Sequence, residues 1–483
     1  MTNRTTTGVD LPVYIAGEAI HEGPRLAVHD PYRAEQIGSV TMVGAAELDR
    51  AVEIALAHGG SASAEALSRY QRHEILMTAR ELLHERAEEF AQLIRSEAGL
   101  CIRDTRYEVG RAQDVLMFAA HEALRDDGQT YSCDISPQGQ RRKIFTTREP
   151  LRLVAAITPF NHPLNQVAHK LAPAIAAGAP MLLKPSEKTP LTAIRLTELL
   201  YEAGLPGWML STLMGSIDDL VTPMIKDDRV DLVSFTGSAQ VGKAIASTAG
   251  YKKLCLELGG NSPLIILDDA DLELAVGLAA EGSFRNSGQR CTAVKRVLVH
   301  DSIADAFTSA FVERTAEYVA GDPAQEETRV GTVIDEAAAI DLERRIERAV
   351  EDGATVLAGG ERRGALLQPT VLSGVPRTTP MVVEESFGPL APILTFRDLE
   401  DAIDLANATA FGLSTGVVTN DMEAALRVVR EVRTGTVNVN QVPGYRIENS
   451  PFGGVKDSGL GIKEGVTEAM KFMTNVKTFS LPW

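Results

Sequence analysis

Residues 232–242, Leu232-Val233-Ser234-Phe235-Thr236-Gly237-Ser238-Ala239-Gln240-Val241-Gly242, run from a strand into the opening of a helix. Leu232–Phe235 is a short apolar run of the kind that forms a buried strand. Gly237, Ser238 and Ala239 are small enough for a phosphate to approach backbone N–H groups at a helix N-terminus. Alone this pattern is weak, because serines and glycines commonly cap helices. Its surroundings decide the reading. Leu153–Thr158, Met181–Lys184, Leu210–Met214 and Leu254–Glu257 are further strand candidates with helical stretches between them. Alternation of this kind predicts a doubly wound parallel sheet, the usual frame for a dinucleotide. A GxGxxG fingerprint is absent; Gly459–Gly465 has the wrong spacing and follows no strand.

A second alternating α/β region spans about 262–450, with strands expected near 264–267, 295–299, 368–373, 391–396, 414–418 and 435–439. Upstream, helices are expected over 44–58, 66–98 and 106–125, the second on the helical recurrence of Ile75, Ala79, Leu82, Leu83, Phe90 and Leu93. Residues 130–149 read as two strands around Pro137-Gln138-Gly139, and Asn475–Leu481 alternates like another strand. These segments are either a peripheral hairpin or an arm that completes a sheet with a partner subunit. The first dozen residues read as a disordered tail.

A chain of 483 residues exceeds one ordinary core, so two or three units are expected. The formal charge of −17 argues against nucleic-acid and anionic-membrane partners, whose phosphates it would repel. An anionic substrate would therefore need a local basic pocket. The four cysteines, Cys101, Cys133, Cys255 and Cys291, show neither a disulfide framework nor zinc-ligand spacing, and no metal site is expected. The polar N-terminus lacks a signal-peptide core and no apolar run is of membrane-spanning length, so a reducing cytoplasm is the expected location.

The chemistry concentrates at Asn286-Ser287-Gly288-Gln289-Arg290-Cys291. A thiolate is the strongest side-chain nucleophile near neutral pH, and an adjacent cation lowers its pKa. With Glu257-Leu258-Gly259-Gly260-Asn261 upstream and Glu384-Glu385-Ser386-Phe387-Gly388-Pro389 downstream, the chain resembles the aldehyde dehydrogenase superfamily over nearly its whole length.

That resemblance implies a Rossmann-type NAD domain (1–128 and 150–256), an α/β catalytic domain (257–457), and a β-ribbon oligomerisation arm with C-terminal tail (129–149 and 458–483). A homodimer or homotetramer is expected. Cys291 is the implied nucleophile, Asn161 the oxyanion donor and Glu257 the base that activates water to cleave a thioester. Relatives that pass the acyl group to coenzyme A generally lack this glutamate, so hydrolysis to a free acid is expected. Lys170 matches a lysine often placed near the water path. For NAD, the resemblance points to Lys184 and Glu187 at the adenosine ribose, Gly237 and Ser238 at the phosphates, Glu385 at the nicotinamide ribose and Phe387 beside the ring. A carboxylate at Glu187 would repel a 2′-phosphate and so favours NAD over NADP.

Where relatives line the substrate tunnel with apolar groups, this chain places His162, Arg111 and Arg446, with Arg290 beside the nucleophile. Three guanidinium forks and an imidazole suit a small anion bearing phosphate-type oxygens. Arg142–Pro150, Thr158–Asn165, Pro443–Glu448 and the closing Thr478–Trp483 further resemble phosphonoacetaldehyde dehydrogenases. The implied substrate is phosphonoacetaldehyde, or phosphonoformaldehyde one carbon shorter. The alternatives are a lactaldehyde, succinate semialdehyde or glyceraldehyde 3-phosphate substrate, acyl transfer to phosphate or coenzyme A, or a catalytically silent binding protein of the same fold.

Overall fold

A computed structural model describes residues 8–59 and 63–483. Two seven-stranded sheets organise the α/β architecture. In the first, the strand order is Lys253–Glu257, Leu232–Thr236, Val154–Ile157, Met181–Lys184, Leu210–Thr212, Val13–Ile15 and Glu18–Ile20. The first five are parallel and the last two are antiparallel additions. From Val154–Ile157 the chain first builds outward in one direction and later returns to build in the other. That reversal makes a switch point, and ligands of open α/β sheets sit outside the carboxyl ends of strands at such points.

In the second sheet the order is Thr355–Ala358, Thr370–Ser373, Leu390–Phe396, Val294–His300, Ser262–Ile266, Ser414–Val418 and Thr436–Val439. All pairs but the first are parallel. Its central strands are buried save for His300, which is why Leu264–Ile266 and Val297–Val299 read as short apolar runs rather than alternating ones.

The helix Asn165–Ala177 carries the residues that follow the first strand, and all of its side chains except Gln166 are buried. It stops at Gly178, whose φ of 84° is left-handed. A Cβ there would stand 3.0 Å from Nη1 of Arg72, which donates to Ala176 O at 2.6 Å. The glycine thus ends the helix and admits a buried guanidinium to its last carbonyls.

Several expectations need correction. The helix expected over 66–98 is two helices, Arg69–Glu85 and Ala87–Ala98, broken where Arg86 leaves helical geometry (φ −104°, ψ 18°) and pairs with Glu202. The next helix starts earlier than 106, spanning Ile102–Ala123. Of the expected N-terminal tail, residues 1–7 lie outside the described residues, whereas Val9–Leu11 forms a strand parallel to Gln36–Thr41. The ribbon is Thr130–Ser132 and Arg142–Pro150, and the C-terminal strand Thr474–Pro482 pairs antiparallel with the latter from the same chain. Among the described residues no helix is long and apolar enough to cross a membrane.

Candidate active site

The helix Leu272–Phe284 ends in a turn with unusual backbone. Asn286 (φ 57°), Ser287 (φ 53°) and Gly288 (φ 68°) are left-handed in succession. For the two non-glycine residues this costs about 1–3 kcal/mol each, so the surroundings must hold the turn. Asn286 N–H donates to Asp104 Oδ2 at 2.7 Å and its side-chain amide donates to Asn161 O at 3.1 Å. Gln289 Oε1 accepts from Ile334 N–H at 2.9 Å. The buried Lys295 ammonium donates to the carbonyls of Gly288 and Gly388, the latter at 3.2 Å.

Cys291 follows this turn, and a Cβ at Gly260 would collide with its carbonyl oxygen, so the Glu257–Asn261 motif packs directly against it. Burial pushes the Cys291 thiol up to about 12, and the charges of Glu385 and Glu257 push the same way. Arg446 and Arg290 pull the other way without prevailing. The adjacent arginine does lower the thiol, as expected of a neighbouring cation, but burial outweighs it. The resting site holds a thiol, and its proton must leave as the sulfur attacks.

Asn161 follows strand Val154–Ile157 and is buried. Its Nδ2 donates to Gln289 O at 2.8 Å, which ties it to the nucleophile turn and leaves the second amide hydrogen free. Glu257 is the last residue of its strand and 4% exposed, and neither carboxylate oxygen has a protein partner. Burial raises its carboxyl well above the usual range, with Glu464 adding to the shift while Lys170, Arg446 and Lys463 oppose it. An unpartnered carboxylate with a raised pKa suits a general base working near neutrality. Lys170 is fully buried below it, donating to Ser234 Oγ at 2.9 Å and Glu464 Oε1 at 3.0 Å.

The residues expected at a nucleotide cluster along the same strand ends. Lys184 closes strand Met181–Lys184 and its ammonium pairs with Glu187. Gly237 N–H donates to Glu257 O at 3.0 Å, and a Cβ there would lie 2.5 Å from the Phe235 ring. Ser238 caps helix Ala239–Thr248 by accepting from Val241 N–H at 3.3 Å. Glu385 Oε1 accepts from Gly260 N–H at 2.8 Å, and a Cβ at Gly259 would collide with the same carboxylate. Burial raises Glu385 and lowers Lys295 beside it. Phe387 meets Phe160 edge to face at 5.8 Å. Close-approach glycines and a capped helix N-terminus at these strand ends, with the Glu385 carboxylate against Gly259 and Gly260, are features that suit a dinucleotide. Among the described residues no cluster of His, Cys, Asp or Glu could hold a metal.

The four basic candidates share one region. His162 Nδ1 lies 3.4 Å from Glu108 Oε2, while Glu108 Oε1 accepts from Leu164 and Asn165 N–H at 2.8 and 3.0 Å. Burial lowers His162 against the Glu108 bond, and Arg111 and Arg290 lower it further. Arg290 is the most committed of the arginines: Nη2 donates to Glu281 O at 3.0 Å and Gly282 O at 2.8 Å. Burial, with Arg285 next, pulls it down to about 10. Arg446 lies over the Phe452 ring at 4.0 Å and 3.9 Å from Glu448 Oε2. Arg111 donates through Nε to Glu448 Oε1. Among the described residues, the terminal nitrogens of Arg111 and every N–H of Arg446 lack a hydrogen-bond acceptor. A cavity of about 1130 Å³ between Leu56, Glu149, Arg152, Asp231 and Tyr251 holds none of these groups.

Three buried participants were not read from sequence: Lys295, Glu448 and Glu464. Lys295 had a signal, being a cation inside the apolar run Val294–His300. Glu448 had one too, two residues from Arg446 in an extended loop, where alternate residues share a side.

Residues 19–479 match the model of the aldehyde dehydrogenase family. The chain is similar to a 3-sulfolactaldehyde dehydrogenase of Priestia aryabhattai, 38% identical over 97% of each chain. It is also similar to a sulfoacetaldehyde dehydrogenase of Neptuniibacter caesariensis, 40% identical over 88% of this chain and 93% of that one. Among solved structures, an NAD-dependent aldehyde dehydrogenase from Sinorhizobium meliloti superposes with a TM-score of 0.93 at 32% identity, covering 99% of this chain and 95% of that one.

Proposed function

The chain belongs to the aldehyde dehydrogenase family, and from that premise we propose that it oxidises a small phosphonate aldehyde to the phosphonocarboxylate, with Cys291 as nucleophile, Asn161 as oxyanion donor and Glu257 as base. At the coarser level it is an aldehyde dehydrogenase that acts on small anionic aldehydes and uses NAD. The observation that carries the phosphonate reading is the pair Arg111 and Arg446, whose unfilled N–H donors share a region with Cys291. Unfilled guanidinium forks are charge-assisted donors suited to oxyanions.

The steps follow from the site. As Cys291 Sγ bonds to the carbonyl carbon its proton passes to solvent water, the C=O π bond breaks, and the carbonyl oxygen becomes an oxyanion. The Asn161 amide and the backbone N–H of Cys291 receive that charge, a term worth about 3 kcal/mol per donor in comparable sites. Bound NAD would supply the hydride acceptor through which the Cys291 adduct passes to a thioester. Glu257 then takes a proton from water, the hydroxyl attacks the thioester carbon and the C–S bond breaks, returning Cys291 and releasing an acid. Lys184, Glu187, Gly237, Ser238, Glu385 and Phe387 are the residues we assign to hold NAD. Glu257 favours water over coenzyme A as acyl acceptor, and its presence with Cys291 speaks against a silent binding role.

In this reading 1–128 and 150–256 bind NAD, 257–457 carry the catalysis, and 129–149 with 458–483 form an arm. The exposed apolar side chains Val476, Phe479, Leu481 and Trp483 of that arm support a homodimer or homotetramer. The two relatives named for sulfonate aldehydes favour a second reading, in which the oxyanion group is a sulfonate.

The experiment is a comparison of kcat/KM for phosphonoacetaldehyde, phosphonoformaldehyde, sulfoacetaldehyde and uncharged propanal. Preference for the phosphonates supports the first reading and preference for sulfoacetaldehyde the second. Equal values with propanal would sink both.

A further inference from the structure

The loop Pro443–Glu448 alternates in exposure. Tyr445 and Ile447 are exposed, while Arg446 turns inward and Glu448 is 5% exposed. Glu448 is thus a carboxylate pushed into a region already holding Arg111, Arg446 and His169. Each of its oxygens has a distinct task. Oε1 accepts from Arg111 Nε–H, and Oε2 lies 2.5 Å from His169 Nε2 and 3.9 Å from Arg446 Nη2. Its three partners come from helix Ile102–Ala123, helix Asn165–Ala177 and its own loop.

We propose that Glu448 is a positioning residue for substrate specificity, which fixes Arg111 and Arg446 so that their terminal N–H donors face the anionic group of the aldehyde. This rests on the anionic-aldehyde reading and deepens it. The geometry is specific to the task. A guanidinium offers a fork of five donors, and taking Nε from behind orients its plane while leaving Nη1 and Nη2 for a ligand. Arg446 gains orientation differently, sandwiched between the Phe452 face at 4.0 Å and the Glu448 carboxylate. Two buried cations in one region repel, and each lowers the readiness of the other to stay charged. Glu448 supplies the buried countercharge that keeps both in place before substrate arrives.

Burial works to raise the Glu448 carboxyl, but the His169 bond and charge, with Arg111 and Arg446, outweigh it and hold it well below the usual range. His169, 2% exposed, is itself lowered by burial against the Glu448 bond. An ionised carboxylate can only accept, so Nε2 of His169 carries the hydrogen and donates, which the neutral Nε2–H tautomer does as well as the charged ring. The ionised Glu448 and the short contact favour the donating imidazole. Glu464 also faces His169 and Arg446, so the anchor is flanked by a second buried carboxylate.

The test uses the full-length enzyme with Glu448→Ala and Glu448→Gln. It measures kcat/KM for phosphonoacetaldehyde, sulfoacetaldehyde and propanal at saturating NAD, together with KM for NAD. Glu448→Ala should lower the ratio of anionic to uncharged kcat/KM by about ten-fold or more, through KM rather than kcat, because the arginines supply uniform binding. Glu448→Gln keeps an acceptor oxygen for Arg111 and should recover part of that loss. An unchanged ratio in Glu448→Ala overturns the proposal, as does an equal fall for propanal and the anions or a matching rise in KM for NAD. If Glu448→Ala fails to fold, Glu448→Gln decides alone: a fall in the anionic ratio supports the proposal and no change overturns it. A wild-type ratio near one overturns this proposal together with the anionic-aldehyde reading. A strong wild-type preference that both variants retain overturns the proposal alone.

Discussion

The Cα of Gly453 stands so close to Glu257 that a Cβ built on it would lie 2.7 Å from Glu257 Oε1. Its φ of +155° is itself one that side chains rarely adopt. The space that lets the carboxylate remain without a protein partner is therefore kept open by a missing methyl group. Gly453→Ala should displace Glu257, and misplacing a reacting group by about 1 Å costs on the order of a hundred-fold in rate. The loss should fall on thioester hydrolysis: stopped-flow should show a burst of about one NADH per active site followed by a slow steady state. A variant with slow turnover and no burst would place the damage earlier in the cycle.

Glu257 predicts a pH limb. Its carboxyl is raised by burial and must be ionised to take a proton from water, so activity is present at high pH and falls as pH drops through the raised value. The acid limb of kcat should therefore sit well above the ordinary glutamate range. Glu257→Gln should leave only a slow residual turnover but retain the burst. A limb that persists unchanged in the residual turnover of Glu257→Gln would assign it to another group.

Cys291 predicts a reactivity profile. With its thiol pushed up to about 12, the thiolate fraction grows about ten-fold per pH unit throughout the working range. Alkylation of the Cys291 peptide by iodoacetamide, followed by mass spectrometry in the absence of NAD, should keep accelerating from about pH 7 to 9 without a plateau. A plateau near neutrality would show that the arginines dominate burial after all.

Glu187 predicts cofactor choice. It pairs with Lys184, and in the proposed NAD site its carboxylate would repel a 2′-phosphate. Glu187→Gln should lower KM for NADP several-fold and raise KM for NAD, each read from steady-state kinetics. Unaltered preference would locate the discrimination elsewhere on the strand edge.

The parallel core was legible because its strands are buried on both faces and read as mostly apolar runs without alternation. Met181–Lys184 and Ser414–Val418 match their expected bounds to the residue. The break at Arg86 was not legible, since the apolar recurrence of the two helices runs on across it without a glycine or proline to mark it. At the candidate site, Cys291, Glu257 and Asn161 stand in motifs that a sequence displays, whereas Glu448 and Glu464 do not. Their roles lie in contacts between elements that no local spacing encodes. The net shift of the thiol was out of reach for the same reason: sequence shows the neighbouring arginine, which does lower it, and conceals the burial that outweighs it.

The left-handed turn at Asn286–Gly288 behaves as a spring held shut by Asp104, Asn161, Gln289 and Lys295. Its latch points belong to distant parts of the chain, so the position of the sulfur is a vote cast by the whole fold rather than a local property. Partial loosening of the helix that carries Asp104 would release the turn before the sheets melt. Heat should therefore silence this enzyme while its circular dichroism still reports a folded protein.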